Sequence, residues 1–243
     1  MTRRRWIAER WDASTATLVG AQAAHLARVL RAQPGVEADV VAGGRVFRGR
    51  ITEVMPEEVC FALGEEVSAD PALPVTLALS VFKFDRMEWA LEKATELGVA
   101  TVLPLLAQRT EKHLAQAAEK RVERWRRIVH EAAQQSRRSD LPLLEQPVKL
   151  NERVKMPAAA VRIVLAEQER ATSLRQAVQQ AMDAAGGDLP QLEIAVGPEG
   201  GWSATEETLF LQNGWQPVTL GPRILRAETA AIAALSVVAS LYE

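Results

Sequence analysis

Five short apolar runs, at residues 75–82, 99–106, 161–166, 192–196 and 218–220, alternate with stretches of helical periodicity. This alternation constrains the chain more than any other feature. Runs that are apolar on both faces must be buried on both faces, which predicts a parallel sheet covered by helices. The first 70 residues read differently. Residues 37–41, 46–51 and 58–63 are short strand-like stretches around Gly43-Gly44, the spacing of a small β unit. Pro71-Ala72-Leu73-Pro74 breaks the regularity between the two patterns and predicts domains at residues 1–72 and 73–243.

Composition narrows the class. Apolar residues make up 48% of the 243, enough to fill a core, so intrinsic disorder is excluded. A single cysteine, Cys60, excludes a disulfide framework and a multi-cysteine zinc site. His113 and His130 have no metal-ligand spacing with Cys60, so no metal is expected. No apolar run approaches the ~18 residues of a membrane span, and no apolar core follows the basic start of the chain. A reduced, cytoplasmic protein with no membrane partner is the expectation.

The net charge of −2 argues against a polyanion partner until the charges are located. Residues 1–50 carry nine arginines against four acids, and residues 109–139 carry nine basic residues against four acids. Residues 51–82 hold six acids and no base, as do residues 176–222. A chain that is neutral overall can therefore present basic patches to phosphates, or carry ordinary solvated faces.

Two helix starts are signed. Asp85 is a candidate N-cap with Glu88 at the third position, and Phe84 is placed to staple onto Trp89. Ser203 with Glu206 is a second capping box, for a helix ending near Asn213-Gly214. Between them, Val122, Trp125, Val129, Ala132 and Ser136 form the apolar stripe of a long, basic helix.

Two loops carry candidate chemistry. Ala195-Val196-Gly197-Pro198-Glu199-Gly200-Gly201-Trp202-Ser203 follows an apolar strand and leads into the Ser203 cap. Its glycines admit a ligand close to the backbone, at the strand end where α/β sheets bind ligands. It has neither the dinucleotide fingerprint nor a P-loop lysine. With acids and no base nearby in sequence, it suits a cationic or neutral nucleoside better than a phosphate. Alone, it is also compatible with an ordinary strand-to-helix turn. Leu220-Gly221-Pro222-Arg223-Ile224-Leu225-Arg226-Ala227-Glu228-Thr229-Ala230 repeats the arrangement and enters an apolar C-terminal helix. Ala230, Ala231, Ala233 and Ala234 permit close packing there.

This pair of loops resembles the SPOUT superfamily of knotted methyltransferases, and within it the RsmE family of 16S rRNA uridine-N3 methyltransferases. Other segments resemble that family in order: residues 25–31 (HLARVLR), residues 83–89 with 92–99, Pro104-Leu105 with Arg109, and Gln135-Ser136 with Arg138. The likeness covers nearly the whole chain. Four positions depart from the family pattern: Ala227 where Thr is usual, Gln108 and Gln134 where Glu is common, and Phe84 where Gly is common.

The resemblance implies an α/β fold: a SPOUT-type parallel sheet with flanking helices and a C-terminal trefoil knot, preceded by a small PUA-like RNA-binding β-barrel. It implies S-adenosylmethionine held by Leu165, Ala166, Gly197, Pro198, Glu199, Gly200, Gly201, Leu220, Gly221, Ile224 and Leu225. It also implies a homodimer, and 16S rRNA or the assembled small ribosomal subunit as substrate. Arg109, Glu199 and Arg226 are the candidate catalytic residues. The arginines would bind a phosphate or a uracil oxygen, and Glu199 would orient the base or accept its proton. Alternatively, Glu199 sits near a helix start for its charge, and Arg226 makes a structural ion pair with Glu228 or another acid. Arg3, Arg4, Arg5, Arg28, Arg31, Lys83, Arg86 and Arg138 are candidate RNA contacts. Competing readings are a SPOUT enzyme for ribose or another base, in rRNA or tRNA, and a non-catalytic RNA-binding protein.

Overall fold

The structure, a computed structural model, describes residues 5–69, 71–156 and 161–242. Arg3 and Arg4 lie outside these residues. The chain divides into two compact units. The first comprises Met1–Pro71 and His130–Leu141, and the second Ala72–Val129 and Pro142–Glu243. Residues 130–141, which the sequence boundary leaves in the second domain, fall in the first unit.

The first unit contains β1 (Arg5–Ile7), β2 (Arg10–Trp11), β3 (Thr15–Val19), α1 (Ala21–Ala24), which runs into a π-helical turn at His25–Val29, β4 (Glu37–Ala42), β5 (Arg45–Val54) and β6 (Glu58–Val67). The sheet order is β1-β4-β5-β6-β3-β2. All pairings are antiparallel except β1 with β4. Gly43 and Gly44 form the two-residue turn between β4 and β5 with φ of +61° and +78°, the positive pair that a tight hairpin requires. Trp6, Leu18, Leu26, Val40, Ile51 and Phe61 pack as its core.

The second unit contains β7 (Leu73–Ser80), α2 (Phe84–Glu96), β8 (Val99–Leu106), α3 (Lys112–Gln135, up to Val129 in this unit), β9 (Leu143–Leu144), β10 (Val148–Lys149), α4 (Leu150–Arg153), β11 (Val161–Leu165), α5 (Leu174–Ala184), β12 (Leu192–Val196), α6 (Ala204–Gln212), β13 (Gln216–Val218) and α7 (Ala227–Tyr242). Its seven strands are all parallel, in the order β10-β8-β7-β12-β11-β13 with β9 also on β8. Alternation along β12 sorts the core. Leu192, Ile194 and Val196 face one layer with residues of α2, α3, α5 and α7, and Ala195 faces the other with residues of α4 and α6. The expected α/β class, a parallel sheet with flanking helices, is what the chain forms. Glu193 interrupts the apolar run of β12. It is fully buried and held by Arg153 at 2.7 Å and Arg162 at 3.6 Å.

Local signals fared unequally. Ser203 Oγ accepts from the Glu206 amide and the Glu206 carboxylate accepts from the Ser203 amide, as the capping box predicts. The Asp85 cap does not form. α2 starts at Phe84 with Lys83 as its N-cap, and no side chain caps it. Glu88 does not reach back because Arg124 holds it with two 2.7 Å hydrogen bonds. Phe84 packs edge-on against Trp125 at 5.9 Å, leaving Trp89 47% exposed rather than stapled. The last strand ends at Val218, earlier than the 218–220 run suggests.

Candidate functional site

β11, β12 and β13 are neighbours, with β11 in the middle, and all run in the same direction. Their following loops, residues 166–172, 197–203 and 219–226, therefore leave the sheet at one edge, the carboxyl end where open α/β sheets take ligands. The loops are tied together. The Trp202 indole N–H donates to the Leu165 carbonyl at 2.9 Å. The Ala166 amide donates to Val218 at 3.0 Å, and the Thr219 amide donates to Thr172 at 2.9 Å.

Together they enclose a cavity of about 540 Å³, a volume within the ~300–1,000 Å³ of small-molecule sites. Leu165, Ala166, Gly197, Pro198, Glu199, Gly200 and Gly201 line it, and so do Leu220, Gly221, Ile224 and Leu225. The structure thus gathers every expected cofactor residue around one space. Gly197 is needed for its lack of a side chain, since a Cβ there would sit 3.2 Å from the Trp202 ring.

The candidate catalytic residues Arg109, Glu199 and Arg226 reach the same cavity. Arg109, in the loop after β8, donates to the Gly200 carbonyl at 2.7 Å, so it braces the glycine loop. Glu199 Oε1 accepts from Arg86 Nη1 at 2.7 Å. Arg226 is exposed and makes no ion pair among the described residues. The carboxylate expected beside it, Glu228, lies instead 3.8 Å from Arg86 Nε.

The cavity corrects the reading of this region as free of basic residues. Arg86, Arg109, Arg170, Arg223 and Arg226 all line it, with Glu167, Glu199 and Glu207. Arg86 and Arg109 arrive from far away in sequence, so a window around the glycine loop cannot show them. Trp202, Glu167, Arg170 and Glu207 are among the lining residues that the sequence did not single out as ligand contacts. The only signal for residues 167–170 is their position directly after a buried strand.

Comparison with known proteins fits this geometry. Residues 69–239 match the RNA methyltransferase domain family. Ribosomal RNA small subunit methyltransferase E of Synechocystis sp. is 37% identical over 234 residues, covering 95% of this chain and 74% of that protein. The chain belongs to the ribosomal RNA small subunit methyltransferase E family. The Bacillus subtilis member is 30% identical, covering 93% of this chain and 90% of its own length. The Neisseria gonorrhoeae member, in a crystal structure bound to S-adenosyl methionine, is 30% identical with a TM-score of 0.83, covering 99% of this chain and 98% of that one.

The expected RNA contacts of this methyltransferase E family member fall into two groups. Arg28, Arg31 and Lys83 are exposed. Arg5, Arg86 and Arg138 are engaged elsewhere. Arg5 donates to the Arg137 carbonyl, and Arg86 holds Glu199. Arg138 is a correction: its side chain is only 7% exposed and pairs with Asp140 at 2.5 Å, so it presents no free charge to a phosphate. Among the described residues no His, Cys, Asp and Glu group is arranged to hold a metal ion. No described helix is long and apolar enough to cross a membrane.

Proposed function

We propose that this chain is an S-adenosylmethionine-dependent methyltransferase that methylates N3 of a uridine in 16S rRNA of the small ribosomal subunit. The observation that carries this reading is the single cavity built from the loops after three adjacent parallel strands, in a chain of this family. The relative bound to S-adenosyl methionine supports the cofactor.

The residues present fit that cofactor. The glycines and alanines of the cavity wall, Ala166, Gly197, Gly200, Gly201 and Gly221, let a nucleoside approach the backbone. The carboxylates of Glu167, Glu199 and Glu207 suit its cationic groups, and the arginines suit its carboxylate. When bound, S-adenosylmethionine supplies an electrophilic methyl carbon on a sulfonium. The chain supplies orientation and proton handling. The three loops hold the reactants in line, which can account for much of the acceleration. Uracil N3 carries a proton that must leave, and Glu199 accepts it. Arg226, with its charge uncommitted, binds a uracil oxygen or the adjoining phosphate and stabilises the developing negative charge. Arg109 spends one donor on Gly200 and retains others for the same task.

The finer architecture belongs to the same proposal. The first unit is a PUA-like RNA-binding barrel, with Arg28 and Arg31 contacting phosphates. The three site loops form the family's trefoil knot. The position of β11 between β12 and β13 supports that assignment. The active form is a cytoplasmic homodimer.

The test is Arg226→Ala with saturating cofactor and small subunits from cells lacking this protein. Turnover should fall about 10²–10³-fold, the cost of losing one donor to a developing oxyanion. Unchanged turnover would remove Arg226 from the mechanism.

A further inference from the structure

Glu228, in the first turn of α7, has a side chain 6% exposed. Its Oε2 is buried with no hydrogen-bond partner. The cation beside it is Arg86, whose Nε stands 3.8 Å from Oε1. Burying a carboxylate with one orphaned oxygen is costly. The helix N-terminus offsets part of that cost and supplies no side-chain partner.

Arg86 is at the same time committed in the other direction. Its Nη1 donates to Glu199 Oε1 at 2.7 Å. One guanidinium from α2 is therefore set between two carboxylates, one buried in α7 and one on the glycine loop. The two use different nitrogens. Glu199 Oε2 has no hydrogen-bond partner among the described residues, so fixing Oε1 through Arg86 leaves Oε2 free in a side chain that lines the cavity.

We propose that Glu228 is a positioning residue, the buried anchor that holds Arg86 and through it fixes the carboxylate of Glu199 at the cavity wall. Without the anchor, the only side chain among the described residues holding Arg86 is Glu199 on the glycine loop. With it, one end of the chain Glu228–Arg86–Glu199 is set in the core of the second unit. This deepens the proposed function and rests on its reading of Glu199 as the group that takes the uracil N3 proton.

The experiment uses the full-length protein and two readouts. The first needs no activity: the Arg86 Nε–H signal in nitrogen-15 NMR, assigned by its loss in Arg86→Lys. In Glu228→Gln it should broaden or vanish through faster exchange, whereas in Glu199→Gln it should persist. An unchanged signal in Glu228→Gln overturns the anchor. The second is kinetic. Glu228→Gln should lower kcat about tenfold, a fraction of the ~10²–10⁴ attributable to a proton-transfer group, with the cofactor KM changed less than about twofold. The double variant Glu228→Gln/Arg86→Lys should be no slower than Arg86→Lys alone, because both act through one side chain. Additive losses would make Glu228 merely structural and overturn the proposal. Should Glu228→Gln fail to fold, Glu228→Asp keeps the charge but withdraws it by one methylene, and must move both readouts in the same direction. If the wild-type protein transfers no methyl group, the reading of the function fails, and the Arg86 signal still decides the anchor.

Discussion

Gly197→Ala is the sharpest probe of how the three loops are held in register. The added Cβ would stand 3.2 Å from Trp202 Cε2, 3.4 Å from Cδ2 and 3.5 Å from Nε1. The ring has little room to retreat. It packs edge-on against Phe210 at 4.9 Å, and Phe210 packs against Trp215 at 5.0 Å. Its N–H is committed to Leu165 at 2.9 Å. Relief by a few tenths of an ångström stretches that bond, so overpacking at about 1–3 kcal/mol combines with loss of about 0.5–1.5 kcal/mol of hydrogen bond. If most of this falls on the cofactor-competent loops, affinity drops about ten- to a thousandfold, at ~1.4 kcal/mol per decade. Isothermal titration with S-adenosylmethionine measures it. Trp202→Phe removes the same hydrogen bond and relieves the clash, so the double variant should bind about as well as Trp202→Phe alone. Wild-type affinity in Gly197→Ala, or simple additivity in the double variant, would refute the coupling.

Other consequences follow from buried polar groups. Glu206 accepts from the Ser203 amide at 2.8 Å and from the Gln108 amide at 2.7 Å, joining the glycine loop to the loop after β8. Glu206→Ala orphans both donors and should cost about 2–6 kcal/mol in urea unfolding, whereas Glu206→Gln retains one acceptor and should cost about half. In the first unit, burial pushes the His130 imidazole below its ordinary 6.5, with Glu9 and Glu131 opposing. The unfolded state then takes up a proton that the folded state resists, so stability is full above pH 6.5 and falls as the pH drops below it. Thermal melts across that window should show the loss, and His130→Phe should flatten it.

What the sequence revealed depended on how local each signal is. The Ser203–Glu206 box spans three residues, so its geometry follows from the chain itself. The same pattern at Asp85–Glu88 failed because Arg124, a helix away, claims Glu88. The parallel sheet was legible from its apolar runs. The glycine loop was legible from residue type, since backbone-made sites need glycine. Its electrostatics were not legible: five arginines approach the cavity, and Arg86 and Arg109 come from about a hundred residues upstream. Arg138 shows the converse, a charge that looks free in sequence but is consumed by Asp140 two residues later. Residues 130–141 belong with the first unit because Ala133 packs with Ile7, Val41 and Val46, a contact that no composition shift marks.

The central claim is methyl transfer to uracil N3 in small-subunit rRNA. Small subunits and free 16S rRNA from cells lacking this protein, incubated with the purified chain and labelled S-adenosylmethionine, test it when the digested nucleosides are identified by mass spectrometry. The account predicts label in N3-methyluridine at a single site. Label confined to another nucleoside, or none in either RNA preparation, would contradict it.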